Sequence, residues 1–175
     1  MTEKQDTLSM MPLQELKVLD IIDGYEVRPG FYTQNGATAL SNSCVNFTVQ
    51  SQGATGCELL LYNRGEAEPF AVIPFPERYR IGKVYSMIVF GLKIEEFEYA
   101  YRMDGPYEPE KGLIFDKSHI LLDPYAKAVA GQSVWGVTSN ENGYRARVVR
   151  NNFDWGIEKQ SVIPMEDLVI YELHV

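Results

Sequence analysis

Val45-Asn46-Phe47-Thr48-Val49-Gln50 alternates apolar and polar side chains without a break. A period of two marks a half-buried β-strand, because successive side chains leave opposite faces of the strand. Ser51-Gln52-Gly53-Ala54-Thr55-Gly56, which follows, is a loop of turn formers. Cys57 to Tyr62 reads as the next strand, closed by Asn63-Arg64-Gly65. Phe70 to Ile73 is another, stopped by Pro74 and Pro76, which would remove ladder donors from a central strand. Val84 to Phe90 and Phe97 to Arg102 complete the main set, with a loop around Lys93 to Glu96. Strands at intervals of about 8 to 14 residues with few helical signals predict an all-β sandwich. On this pattern Phe47, Tyr99 and Tyr101 belong to its core.

The flanks are less regular. Residues 1–23 read as an N-terminal arm in which Leu13, Leu16, Val18 and Leu19 suggest a short helix or an extended segment laid on the body. The sandwich is expected over residues 24–110. Residues 111–163 read as a connector, with one and a half helical turns at Pro124 to Val129 and a strand at Tyr144 to Val149. Phe115, Leu121, Leu122, Tyr125, Trp135 and Tyr144 are too apolar for a solvated linker, so this connector is expected to pack on a surface.

Composition narrows the function. With 175 residues the chain accommodates one domain and its linking segments. A net charge of −8 argues against a nucleic-acid partner, which requires a basic footprint. No apolar run approaches the roughly 20 residues of a membrane helix, and no signal peptide is visible in the first 30 residues, so a cytoplasmic protein without a membrane partner is expected. Two cysteines, Cys44 and Cys57, make no disulfide framework, although they could face each other across a pair of strands. His119 and His174 are the only histidines, too few for a zinc site, and no phosphate-binding loop, dinucleotide fingerprint or nucleophile elbow occurs. No metal or cofactor is expected. Glu95 and Glu96, Glu108 and Glu110, and Glu166 and Asp167 read as solvated surface pairs.

The stretch Tyr101-Arg-Met-Asp-Gly-Pro-Tyr-Glu-Pro-Glu-Lys-Gly-Leu-Ile-Phe-Asp-Lys-Ser-His-Ile-Leu-Leu-Asp-Pro-Tyr-Ala-Lys127 sets an aromatic strand before a turn at Asp104-Gly105-Pro106 and ends in a proline-initiated segment. That order, the Phe153-Asp154-Trp155 group and the run Val169-Ile170-Tyr171-Glu172-Leu173-His174-Val175 together resemble the glycogen-debranching and isoamylase-type branch of glycoside hydrolase family 13. In that family the stretch closes an immunoglobulin-like (early-set) β-sandwich, carbohydrate-binding module family 48, and leads toward a catalytic (β/α)8 barrel.

The resemblance implies that residues 164–175 are the first strand of such a barrel. The rest of a barrel, about 250 residues in all, does not fit in this chain. The nucleophile and the acid–base residue of the family come from later barrel strands, so no catalytic residue is assigned and no glycosidase activity is expected of these residues alone. The implied partners are α-glucan (glycogen or maltooligosaccharide) and the barrel.

Glycogen-sensing members of the module family carry a tryptophan soon after the second main strand. The matching Leu61-Tyr62-Asn63-Arg64-Gly65 has none. Tyr62 and Asn63 are the candidate substitutes, joined by Tyr107 and Trp135 in segments expected to be exposed. Asp104, Gly105, Pro106 and Tyr107, with Phe153, Asp154 and Trp155, are the candidate contacts to the barrel. The competing readings are an independent glycogen-binding module and the front end of a branching enzyme or a trehalose-releasing hydrolase.

Overall fold

The computed structural model describes residues 17–131, 143–150, 154 and 163–174. The chain forms β1 (Asp20–Ile22), β2 (Tyr25–Pro29), β3 (Gly36–Ala39), β4 (Cys44–Gln50), β5 (Gly56–Asn63), β6 (Ala71–Pro74), β7 (Arg80–Ile81), β8 (Val84–Phe90), β9 (Phe97–Asp104), β10 (Tyr107–Glu108), β11 (Leu113–Ile114), β12 (Ala128–Ala130) and β13 (Arg145–Arg147). One antiparallel sheet runs β1-β2-β8-β4-β3 with β7 also on β8; a second runs β12-β13-β9-β5-β6; β10 and β11 form a separate ribbon. The described residues contain no α-helix. The predicted all-β, immunoglobulin-like sandwich is therefore what forms.

The two sheets meet through their inward positions. On β4 and β8 the cross-strand pairs Val45↔Val89, Phe47↔Met87 and Val49↔Tyr85 face the interior, and on β5 and β9 so do Leu59↔Tyr101 and Leu61↔Tyr99. Phe47 meets Tyr99 edge to face with centroids 5.2 Å apart, a favoured aromatic geometry. Tyr99 in turn packs against Tyr101 at 5.8 Å. The expected core aromatics are thus in place.

The half-buried reading of β4 needs correction. Asn46 and Thr48, its polar positions, are wholly buried, as is Ser86 across on β8. The segment after β2 lies over them. Asn46 Oδ1 accepts the Phe31 N–H at 2.8 Å, the Thr48 hydroxyl donates to the Phe31 carbonyl at 3.2 Å, and Thr48 and Ser86 hydroxyls lie 2.6 Å apart. Alternation held, but the polar face meets a backbone strap instead of water.

Strands also occur outside residues 24–110. β1 lies before that range, and β12 and β13 join β9 from within the expected connector. The helix expected at Pro124 to Val129 does not form. The Asp123 carboxylate accepts the Tyr125 N–H at 2.8 Å and the Asp123 carbonyl accepts the Ala126 N–H at 3.0 Å, a side-chain-stabilised turn, after which Ala128–Ala130 pairs as β12. An aspartate that captures nearby backbone donors competes directly with a helix. The expected strand at Tyr144 to Val149 is present as β13. Of the N-terminal arm, only residues from Lys17 onward lie within the described part. Leu168 to His174 carry no strand, and Val169, Ile170, Tyr171 and Leu173 are strongly exposed.

Cys44 and Cys57 do not pair. One begins β4 in the first sheet and the other lies on β5 in the second; both are free and buried. Burial pushes the Cys44 thiol up to about 11 and that of Cys57 further still.

β1 is tied to the body by Asp20, which accepts a hydrogen bond from the Tyr79 hydroxyl and pairs with Arg78 at 2.7 Å. The Arg78 hydrogen bond first, and that of Tyr79 second, hold the Asp20 carboxyl below the usual carboxylate range. Its contribution is present above its unfolded pKa and is lost as pH falls through the lower folded value. Tyr79→Phe is expected to speed hydrogen exchange of the β1 amides roughly tenfold, about what one lost hydrogen bond confers. Unchanged β1 exchange in the variant would remove the clasp from this account.

Candidate functional site

The outward face of the second sheet is as closed as that of the first. Leu60 and Ala100, neighbours on β5 and β9, are buried there with Tyr62, and Val72 and Ile120 pack against them. Flanking this apolar patch, Arg102 Nε donates to Glu58 Oε2 at 2.6 Å, and Lys117 Nζ lies 3.3 Å from the other Glu58 oxygen. Leu121 holds the covering segment to β9 through reciprocal backbone hydrogen bonds with Tyr101.

A pocket opens at the edge of this patch. Its volume is close to 430 Å³, and its walls include Leu60, Tyr62, Glu68, Arg102, Ile120 and Arg145. Such a size suits a small ligand, with an apolar wall and a few converging polar groups.

Arg145 dominates the pocket. Its guanidinium carbon stands 3.6 Å from the centroid of the Tyr62 ring, a close cation–π contact. Nη1 donates to the Glu66 carbonyl and Nη2 to the Ala67 carbonyl at 3.1 Å. The residue is only 8% exposed, yet Nε has no acceptor. Tyr62 is 0% exposed, and its hydroxyl also has no partner. Burial is the leading cause that raises the Tyr62 phenol, so it remains a donor at neutral pH. Two donors thus lie unsatisfied in the packing behind the pocket wall, each costing about 1–3 kcal/mol.

The expected sugar contacts are not brought together. Tyr62 offers no open ring face, because Arg145 covers it and the residue is wholly buried. Asn63, the next residue on β5, points elsewhere, as strand geometry requires. It lies beside a second hollow with Tyr25, Phe70, Lys93 and Glu96. Tyr107 is 71% exposed on the β10–β11 ribbon opposite Ile114, itself exposed. Trp135 lies outside the described residues.

Of the expected barrel contacts, Asp104 accepts the Gly105 N–H at 2.9 Å, and a side chain at Gly105 would meet the Phe115 ring at 2.6 Å. This turn therefore already has an intramolecular packing role. Pro106 accepts a backbone hydrogen bond from Phe115, and Asp154 is exposed; Phe153 and Trp155 lie outside the described residues. Sequence reasoning missed Arg145 altogether. It sits in a three-residue strand far from Tyr62 along the chain, where no periodicity singles it out.

Residues 34–126 match the family described as carbohydrate-binding module 48, the isoamylase N-terminal domain, and the chain belongs to that family. It is 35% identical over 150 residues to the chloroplastic isoamylase SU1 of Zea mays, covering 80% of this chain and 19% of that protein. A glycogen debranching enzyme of Serratia proteamaculans is 31% identical over 163 residues, covering 86% of this chain and 24% of the enzyme. The chain thus spans about a fifth to a quarter of these relatives. Among solved structures, the Group B Streptococcus pullulanase SAP superposes with a TM-score of 0.52 at 22% identity over 68% of this chain and 15% of the pullulanase. That likeness concerns the fold.

Proposed function

We propose that this chain is the non-catalytic front module of an isoamylase-type debranching hydrolase acting on α-1,6 branch linkages in the cytoplasm. It seats a catalytic barrel and contacts α-glucan at the Tyr62–Arg145 pocket. The observation that carries the glucan contact is the pocket itself, in which the apolar Leu60, Pro69 and Ile120 meet the polar Glu68 and Arg102. A glucosyl ring offers the matching chemistry, an apolar face rimmed by hydroxyl groups. The debranching assignment draws on the relatives named above, which are an isoamylase and a glycogen debranching enzyme.

The same pocket argues against hydrolysis by the chain itself. Glycoside cleavage requires two opposed carboxyl groups. Glu68 is the one carboxylate among the lining residues, and the nearby Glu58 is committed to Arg102 and Lys117. The exposed run Val169–Leu173 supports the barrel-seating role, since an apolar surface of this kind is suited to burial against a further layer of protein.

Titration with maltoheptaose, followed by amide chemical shifts, tests the reading. Saturable changes centred on Leu60, Tyr62, Ala67 and Arg145 are expected, with no release of reducing sugar from pullulan or glycogen. Absence of binding would reduce the module to a scaffold. Turnover would overturn the non-catalytic assignment.

A further inference from the structure

We infer that the chain carries a second carbohydrate contact, separate from the Tyr62–Arg145 pocket, in the hollow where Asn63 meets the exposed Phe70 ring. The inference takes its ligand class, a neutral glucosyl unit, from the role proposed above, but its site rests on different residues.

The hollow lies at one end of the sandwich. Tyr25 opens β2, Gly91 follows β8, Asn63 closes β5, Phe70 precedes β6 and Phe97 opens β9. Five strands drawn from both sheets therefore converge on it. Its floor is the end of the core, since Leu92 and Phe97 are buried there. The rim is fixed by backbone hydrogen bonds: Phe70 N–H to the Leu61 carbonyl at 2.8 Å, Leu92 N–H to Ser43 at 3.0 Å and Glu96 N–H to Lys93 at 2.8 Å. Groups set on strand ends keep their geometry without the ordering cost of a free loop.

The groups at the mouth are open to solvent. Phe70 is 45% exposed. Asn63 faces the same way as Leu59 and Leu61, but the alternation of β5 carries it past the end of the core, where it is exposed. Lys93 and Glu96 complete the mouth, with side chains 76% and 65% exposed and 3.2 Å apart.

The charges there balance. Lys93 and Glu96, the one cation and the one anion on the wall, pair with each other. Around them Arg64 and Arg150 stand against Glu95 and Asp23, so the wider count is neutral too. Such a hollow holds no surplus charge for an ion. An exposed aromatic ring, an amide and a carboxylate–ammonium pair instead match a pyranose, whose C–H face lies on the ring while its hydroxyls donate and accept. The volume of about 250 Å³ falls below the roughly 300–1,000 Å³ of a drug-sized site, so it takes one ring or a chain end.

Titration of the 175-residue chain with maltose, followed by amide chemical shifts, tests this. Saturable shifts at Gly91 and Lys93 are expected beside those at Leu60 and Arg145. Phe70→Ala should weaken the Gly91 and Lys93 response at least about fivefold through lost apolar contact, and leave that of Leu60 and Arg145 unchanged. Phe70→Tyr keeps the ring and should keep the binding. Both substitutions fall on an exposed side chain, so the fold should survive them.

Shifts at Leu60 and Arg145 with none at Gly91 and Lys93 would overturn the second contact and leave the role proposed above standing. The second contact would equally be overturned by a Phe70→Ala protein that responds like wild type at Gly91 and Lys93. Shifts at Gly91 and Lys93 alone would support it and remove the Tyr62–Arg145 pocket as a glucan site. No response anywhere would overturn both.

Discussion

Gly30→Ala is expected to destabilise the fold by about 3 kcal/mol, combining overpacking with disruption of a buried polar network. A methyl group at Gly30 would lie 2.2 Å from Ser86 Oγ, 2.4 Å from Asn46 Oδ1 and 2.8 Å from the Met87 backbone nitrogen. None of these atoms has room to give. Asn46 Oδ1 already holds the Phe31 N–H, the Ser86 hydroxyl is bonded to Thr48, and Met87 lies in β8 between β2 and β4. The Gly30 N–H itself donates to the Ser86 carbonyl at 3.1 Å, so the strap cannot lift without losing that bond.

Urea unfolding should show a lower midpoint with an unchanged slope. Gly56→Ala is the control, because its added carbon would make ordinary contact with Asp104 at 3.4 Å, and it should change stability by less than about 1 kcal/mol. If Gly30→Ala unfolds at the wild-type midpoint, the strap is not seated as described.

Asp123→Ala should cost about 2–3 kcal/mol at neutral pH, because it strands two donors together. The Asp123 side chain is 1% exposed; it accepts the Tyr99 hydroxyl at 2.7 Å and the Tyr125 N–H at 2.8 Å. Burial raises the Asp123 pKa above its ordinary 3.8, and the two hydrogen bonds only partly oppose that rise. Below 3.8 the group is protonated in both folded and unfolded chains. Between that value and the higher folded pKa the folded chain binds the proton more tightly, so this group's contribution falls as pH rises. Above the folded value the penalty of the buried charge is fully present.

Asp123→Asn keeps a similar shape without the charge. Its stability should therefore improve relative to wild type as pH is raised through that window and then run parallel. Thermal melts of the two proteins between about pH 3 and 7 would show it. Curves that stay parallel throughout would mean that Asp123 does not titrate differently on folding.

The four long strands β4, β5, β8 and β9 were legible because their inward positions repeat over several residues. The short strands were not. β12 and β13 have three residues each, less than two full alternations, and their pairing is decided by what lies beside them. At β4 the pattern was read correctly, but the polar side was assigned to water. Sequence spacing carries no information that a strap from Gly30 and Phe31 would take that place. At Asp123 a proline next to an alanine-containing stretch suggested a helix start, while the carboxylate was in fact bonding forward to Tyr125 and across to Tyr99. The candidate site followed the same rule. Tyr62 stands out through the family resemblance, at the end of a recognisable strand, but only the folded chain shows that Arg145 covers its ring and closes it as a stacking surface.

Cys44 and Cys57 give the sandwich one native chemical reporter in each sheet. A thiol reacts as thiolate and only where reagent reaches it, and both conditions are suppressed here by burial. Modification of Cys44 therefore reports parting of the first sheet, and modification of Cys57 parting of the second. The order in which an alkylating reagent marks them reads which half of the molecule loosens first, without any label being introduced.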